Sequence, residues 1–209
     1  MKEFDFIKSI QTLFPQPAHG PIGNDCHPFL LSDNKTGLIS KDMLVEGVHF
    51  YPEIPLKALA YKALTVNLTD ILADGGTPLF FMIGIGVPPQ KKDCLLELYN
   101  FFKEFLTPFN IPIVGGDTVS SSVFFLSLTC VGQTTSPPWL RKNAKPHDYI
   151  YVTGELGGSS AGLKLLLKKG HNTKNPLIKR HLFPPYRKGL ETILKDKIHA
   201  AIDISDSFL

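Results

Sequence analysis

Apolar residues recur at near-helical spacing in Phe4, Ile7, Ile10 and Phe14, and Pro15 and Pro17 stop the pattern, which predicts an N-terminal amphipathic helix. A loop, His19 to Cys26, leads to a short strand at Phe29 to Leu31. After the turn Ser32 to Gly37, a second strand enters Ser40, so the pair reads as a hairpin. Pro55 can open a helix whose stripe of Leu56, Leu59, Ala60, Ala63, Leu64, Ile71 and Leu72 runs until Gly75-Gly76 caps it. On that helix Asn67, Asp70 and Asp74 fall on one polar face. Leu79 to Val87 reads as a buried strand and Lys91 to Phe105 as a helix. Ile111 to Val114 reads as a short strand stopping at Gly115-Gly116-Asp117, and Val123 to Val131 as an antiparallel strand.

Together these elements predict an α+β unit, a mixed or antiparallel sheet covered by helices on one face, over residues 1–140. The Pro-, Ser- and Thr-rich connection Gln133 to Pro146 marks the boundary. Residues 141–209 read as the start of an α/β C-terminal domain that is incomplete: a strand at Tyr149 to Thr153, a helix opened by Gly157-Gly158-Ser159-Ser160, and a last strand at His199 to Ile204. A piece of that size with one or two strands closes its own core poorly.

Composition excludes several classes. The formal charge of +3 comes from 22 basic and 19 acidic residues spread along 209, so no basic stripe marks a nucleic-acid binder. The longest apolar run, Pro78 to Pro89, is too short to span a bilayer, and Met1 to Phe14 lacks the build of a secretory signal. Cys26, Cys94 and Cys130 are odd in number, with no Cys-x-x-Cys spacing, which fits a reducing cytoplasm better than a disulfide framework or a zinc site.

The chemistry concentrates in oxygen donors. Single carboxylates are usually solvated surface. Here, however, Asp25 follows a glycine in a loop, Asp42 and Asp117 close apolar strands, Asp70 lies on a helix's polar face and Asp203 ends a strand. Carboxylates brought together need cations, and Ser40, Asp42 and their acidic companions are the hard ligands that suit Mg²⁺, which keeps positions for water and phosphate oxygens. These stretches are expected to converge on one magnesium-phosphate site, with His49 as a substrate contact. Gly115-Gly116-Asp117-Thr118 and Gly157-Gly158-Ser159-Ser160 could let backbone N–H groups approach a phosphate, although neither is a Walker loop.

Six motifs, in order, carry a resemblance: Gly23-Asn24-Asp25-Cys26; Ile39 to Phe50, with Glu46-Gly47-Val48-His49-Phe50; Lys62 to Asp70; Gly115 to Thr118; Tyr151-Val152-Thr153-Gly154; and Ala201 to Asp206. They are similar to the thiamine-monophosphate kinase family, of the aminoimidazole ribonucleotide synthetase-like superfamily. The resemblance implies ATP-dependent phosphorylation of thiamine monophosphate to thiamine diphosphate, by direct in-line transfer without a covalent intermediate, in a homodimer that uses several Mg²⁺. It implies metal ligation by Asp25, Ser40, Asp42, Asp70, Asp117, Asp203 and Asp206, ATP contacts from Gly116, Asp117, Arg141 and Ser205, and a thiamine phosphate contact from His49. Asn24 stands where a second aspartate is usual, and Lys41 and Met43 where threonines are. The family's C-terminal domain would run on for roughly another hundred residues, so the chain is expected to match a C-terminally truncated member. A non-catalytic dimeric module of the same fold and a sister ATP-dependent synthetase are the alternative readings.

Overall fold

The computed structural model describes residues 3–14, 23–32, 34–169 and 174–205. After α1 (Glu3–Leu13), β1 (His27–Ser32) and β2 (Lys35–Val45) form the expected hairpin, with His27 opposite Ile39. Next come α2 (Leu56–Ala73), β3 (Thr77–Val87), α3 (Leu95–Leu106), β4 (Ile113–Ser120) and β5 (Phe125–Thr134). The five strands make one mixed sheet in the order β1-β2-β5-β3-β4, antiparallel except for β3 and β4, which are parallel across the α3 crossover.

Side-chain alternation assigns the two faces of the sheet. Leu38, Leu44, Leu126, Leu128, Phe81, Ile83 and Ile85 point to the helical face and are buried against Leu59, Ala63, Leu64, Leu68 and Ile71 of α2 and against Leu98 and Phe102 of α3. The predicted apolar stripe on α2 understates its burial. Ala58 packs on its far side against Leu166 of α4 (Gly158–Lys169) and Ile178 and Leu182 of α5 (Pro176–Leu182), so the helix is enclosed almost all round. The opposite sheet face carries half-exposed Ile39, Met43, Met82 and Val119.

Several boundaries differ from expectation. β2 does not stop at Ser40 or Asp42 but runs on to Val45, because β5 pairs with it residue for residue from Thr36 to Val45. Both polar residues therefore sit mid-strand, on the face of Leu38 and Leu44. β4 likewise runs through Gly115-Gly116-Asp117 to Ser120, with Asp117 opposite Gly84 of β3. Tyr149 to Thr153 and His199 to Ile204 are not strands: among the described residues no strand pairs with either, and Tyr149, Ile150 and Tyr151 stand 88, 78 and 85% exposed. An apolar run becomes a strand only where a neighbour takes up its N–H and C=O groups. The short helix α5, not foreseen, is capped by Asn175, whose side chain accepts the N–H groups of Leu177 and Ile178 ahead of Pro176. α6 (Leu190–Leu194) follows. No described helix is long and apolar enough to cross a membrane.

The end of α2 is fixed by Gly75, at φ 74°, where a Cβ would lie 2.8 Å from the ring of buried Trp139. Gly75→Ala adds left-handed backbone strain to this clash and is expected to cost about 1–3 kcal/mol in urea unfolding. An unchanged midpoint would show that the Trp139 contact does not hold the helix end.

Candidate functional site

The acidic edge of α2 is where several of the chain's predicted ligands meet. Asn67, fully buried, donates from Nδ2 to the Ala63 carbonyl at 3.3 Å, and its Oδ1 lies 3.4 Å from Ser40 Oγ. One turn later Asp70 accepts a hydrogen bond from Ser40 Oγ. Another turn on, buried Asp74 caps the helix and receives Asn24 Nδ2 on both carboxylate oxygens, at 2.6 and 2.8 Å. The loop holding Asn24 thereby places Asp25 beside Asp70. A third segment, 199–203, reaches the same place: the Ala201 N–H donates to the Trp139 carbonyl, Asn143 Nδ2 donates to that of His199, and Asp203 Oδ2 lies 3.5 Å from Thr69 Oγ1.

Asp25, Asp70 and Asp203 each bring a carboxylate oxygen within 4.8 Å of the other two. Burial dominates their electrostatics. It pushes Asp70 up to about 9, helped by the Asp42 and Asp203 charges and opposed by the Ser40 hydroxyl. Burial followed by the Asp25 and Asp42 charges brings Asp203 to about 6. Asp25 is also raised by burial, although the Arg141 guanidinium contacts its Oδ1 and opposes the shift. Among the described residues, Asp25 Oδ2 is buried with no hydrogen-bond partner. An orphaned carboxylate oxygen among mutually repelling carboxylates, with hydroxyls as the other donors, is the all-oxygen environment that suits a hard divalent cation.

The remaining predicted residues divide. Asp42 is close enough to raise both Asp70 and Asp203. Lys41 alternates to the opposite sheet face, where its ammonium donates to Ser127 Oγ at 2.7 Å, away from the carboxylates. Asp117 does not join the cluster: β5 and β3 separate its strand from β2, about 14 Å over three strand spacings, and its register with Gly84 puts it on the open face. Gly116 lies against β3 so closely that a Cβ would sit 1.9 Å from the Ile83 carbonyl oxygen, which is reason enough for glycine there. Gly115 to Thr118 also line a shallow cleft of about 480 Å³ with Tyr99 of α3. Tyr99 was not a predicted site residue, since no spacing distinguishes it from the core aromatics of the same helix. His49 is exposed; its Nδ1 accepts the Val45 N–H at 3.1 Å, which leaves Nε2 as the ring's donor. Ser205 is exposed, and Asp206 lies outside the described residues.

Comparison with known proteins identifies the fold. The model of the family "AIR synthase related protein, N-terminal domain" matches residues 23–134. Thiamine-monophosphate kinase of Buchnera aphidicola subsp. Schizaphis graminum is 39% identical over 193 residues, covering 90% of this chain and 59% of its own length. That of Bacillus subtilis is 32% identical over 219 residues, covering 99% of this chain and 67% of its own. A solved structure, AaThiL complexed with AMPPCP and TMP, superposes with a TM-score of 0.88 at 31% identity over 97% of this chain and 65% of that one. The chain thus spans 59% of the length of the Buchnera relative. Matched by the family model over more than half its length and by these relatives over nearly all of it, the chain belongs to the thiamine-monophosphate kinase family, among the AIR synthase related proteins.

Proposed function

We propose that this chain carries the nucleotide- and metal-binding part of a kinase that transfers the γ-phosphoryl group of ATP to thiamine monophosphate. The observation that carries the reading is the convergence of Asp25, Asp70 and Asp203 within 4.8 Å, with the second Asp25 oxygen left without a partner among the described residues. Ser40 and Asp42 complete an oxygen donor set for Mg²⁺. Bound there, Mg²⁺ would neutralise the charge of the phosphate chain. In-line transfer then needs little beyond positioning: an oxygen of the acceptor phosphate forms the new bond to Pγ, the bond to the bridging oxygen breaks, and ADP leaves. Arg141, from the turn beside Asp25, would hold phosphate oxygens. The cleft of Tyr99, Gly116 and Asp117 would take another part of the nucleotide, and Ser205 would add a hydroxyl. With Nδ1 accepting the Val45 N–H, exposed His49 keeps its Nε2 donor for the acceptor's phosphate.

In this reading residues 1–140 form the domain that supplies most ATP and Mg²⁺ ligands and also the dimer surface, and residues 141–209 open a second domain that adds Arg141, Asp203 and Ser205 to the site. The open sheet face supports a homodimer, since Ile39, Met43, Met82 and Val119 line it half-exposed. Met43→Glu is therefore expected to yield monomers in sedimentation at concentrations where the unaltered chain is a dimer. A wild-type chain that already sediments as a monomer would refute this surface.

Magnesium binding is tested through stability. Asp70 at about 9 and Asp203 and Asp74 at about 6 all start from an ordinary value of 3.8. Between those limits the folded chain binds more protons than the unfolded one, so metal-free stability falls as pH rises through that window. Millimolar Mg²⁺ replaces the protons, and its gain in Tm should be larger near pH 8 than near pH 5. An equal gain at both, or none, contradicts a cation site here.

The reaction itself is tested with ATP, Mg²⁺ and thiamine monophosphate, with product measured directly and Mg-ATP binding measured by calorimetry on the same sample. Turnover establishes the kinase. Saturable binding without turnover favours the non-catalytic module, and the absence of both contradicts a nucleotide site.

A further inference from the structure

We propose that Asn24 is a positioning residue whose side-chain amide locks the Arg141 turn to the end of α2 and so fixes the Arg141 guanidinium beside Asp25. Its importance for nucleotide binding rests on the function proposed above; the lock itself does not.

Asn24 makes opposite kinds of hydrogen bond in two directions. Its Nδ2 donates to both oxygens of Asp74, at 2.6 and 2.8 Å, while its Oδ1 accepts the Arg141 main-chain N–H at 3.0 Å. A carboxamide supplies a donor and an acceptor from one short planar group without titrating. An aspartate would set carboxylate against carboxylate, and an aliphatic residue would leave the buried Asp74 without its amide donor. Asp74 also takes the Trp139 N–H on its own carbonyl, at 3.4 Å. Two residues of the same turn, Trp139 and Arg141, are therefore held to one helix cap, one directly and one through Asn24. From that anchored backbone the Arg141 guanidinium reaches Asp25 Oδ1. Without the anchor, an arginine side chain whose own exposure is 41% would have only a single ion pair to order it, and such pairs hold exposed side chains weakly.

Trp139 is the chain's only tryptophan, and it is buried, so its fluorescence reports the turn without any ligand. Asn24→Leu keeps the branched shape, at a larger volume, and removes the hydrogen bonds to Asp74 and Arg141. It is expected to shift Trp139 emission to the red and to increase its quenching by acrylamide. The same variant should weaken Mg-ATP by about tenfold, the scale of one hydrogen bond to a charged group. Combining Asn24→Asp with Asp74→Asn reverses the donor and restores one hydrogen bond between the two positions, while the Cys26 carbonyl, 3.5 Å from Asn24 Nδ2, loses that donor. The carboxylate introduced by the first change accepts both the Arg141 N–H and the amide introduced by the second, and the main-chain bond to Trp139 is untouched. The double variant should return both readouts to wild-type values, which a merely structural disturbance would not do. Should Asn24→Leu fail to fold by circular dichroism, Asn24→Ser, whose hydroxyl is too short to bridge, takes its place. Unchanged quenching in the single variant, or a double variant no better than the single, overturns the proposal. If the wild-type chain binds no Mg-ATP, the functional reading fails by itself, and the quenching series still decides whether Asn24 holds the turn.

Discussion

A carboxylate removed from water must find a proton, a cation or donors, and most of this site follows from that requirement applied to one helix. α2 is enclosed by the sheet, by α3 and by the α4–α5 pair, so the acidic edge it carries has limited access to bulk solvent. Each polar group there is answered by a neighbour. Asn67 turns to its own helix, Asp70 takes the Ser40 hydroxyl, and Asp74 takes the Asn24 amide. The helix thus determines which residues of other segments must come to it.

That requirement ties together parts of the chain far apart in sequence. The 23–26 loop is held through Asn24, the 139–143 turn through Trp139 and Arg141, and the 199–203 segment through its bond to Trp139. Three irregular segments acquire fixed positions because they terminate on a rigid element. The Asp25 and Asp203 carboxylates arrive as part of this bracing. The Arg141 guanidinium compensates part of their charge, while burial first, and the neighbouring carboxylates after it, raise Asp70 and Asp203.

The sequence made the longer helices and most strands legible, though not the short α5 and α6, because their periodicity survives packing: α2, α3, β3 and β5 lie close to where apolar spacing put them. Of the five aspartates the sequence singled out by position, Asp25, Asp42, Asp70, Asp117 and Asp203, the structure gathers Asp25, Asp70 and Asp203, although Asp203 does not end a strand. Three things were beyond the sequence. Strand limits depend on partners, so β2 and β4 ran past their polar residues while Tyr149 to Thr153 and His199 to Ile204, lacking a neighbour, formed no strand. Strand order is a property of the assembled sheet, and that order removed Asp117 from the cluster. Pairwise contacts such as Asn24 with Asp74, 50 positions apart, leave no local signal at all.

The separation of Asp117 limits what any one ion can do. Oxygen ligands of Mg²⁺ lie at about 2.0–2.1 Å, so two ligands of one ion stand at most about 4 Å apart. Asp25, Asp70 and Asp203, within 4.8 Å of one another, close to that distance by small side-chain rotations. Asp117 is about 14 Å from the β2 ligands and on the other face of the sheet, beyond any such adjustment. Within one copy, the acidic cluster and the Tyr99–Gly116–Asp117 cleft are therefore separate in space, and the proposed function would use them as two elements. Chemistry that uses both must join them through something longer than an ion, either an extended ligand such as a nucleotide or the complementary residues of a second copy. The same alternation that sends Asp117 to the open face sends Lys41 there too, which keeps a competing ammonium out of the carboxylate cluster.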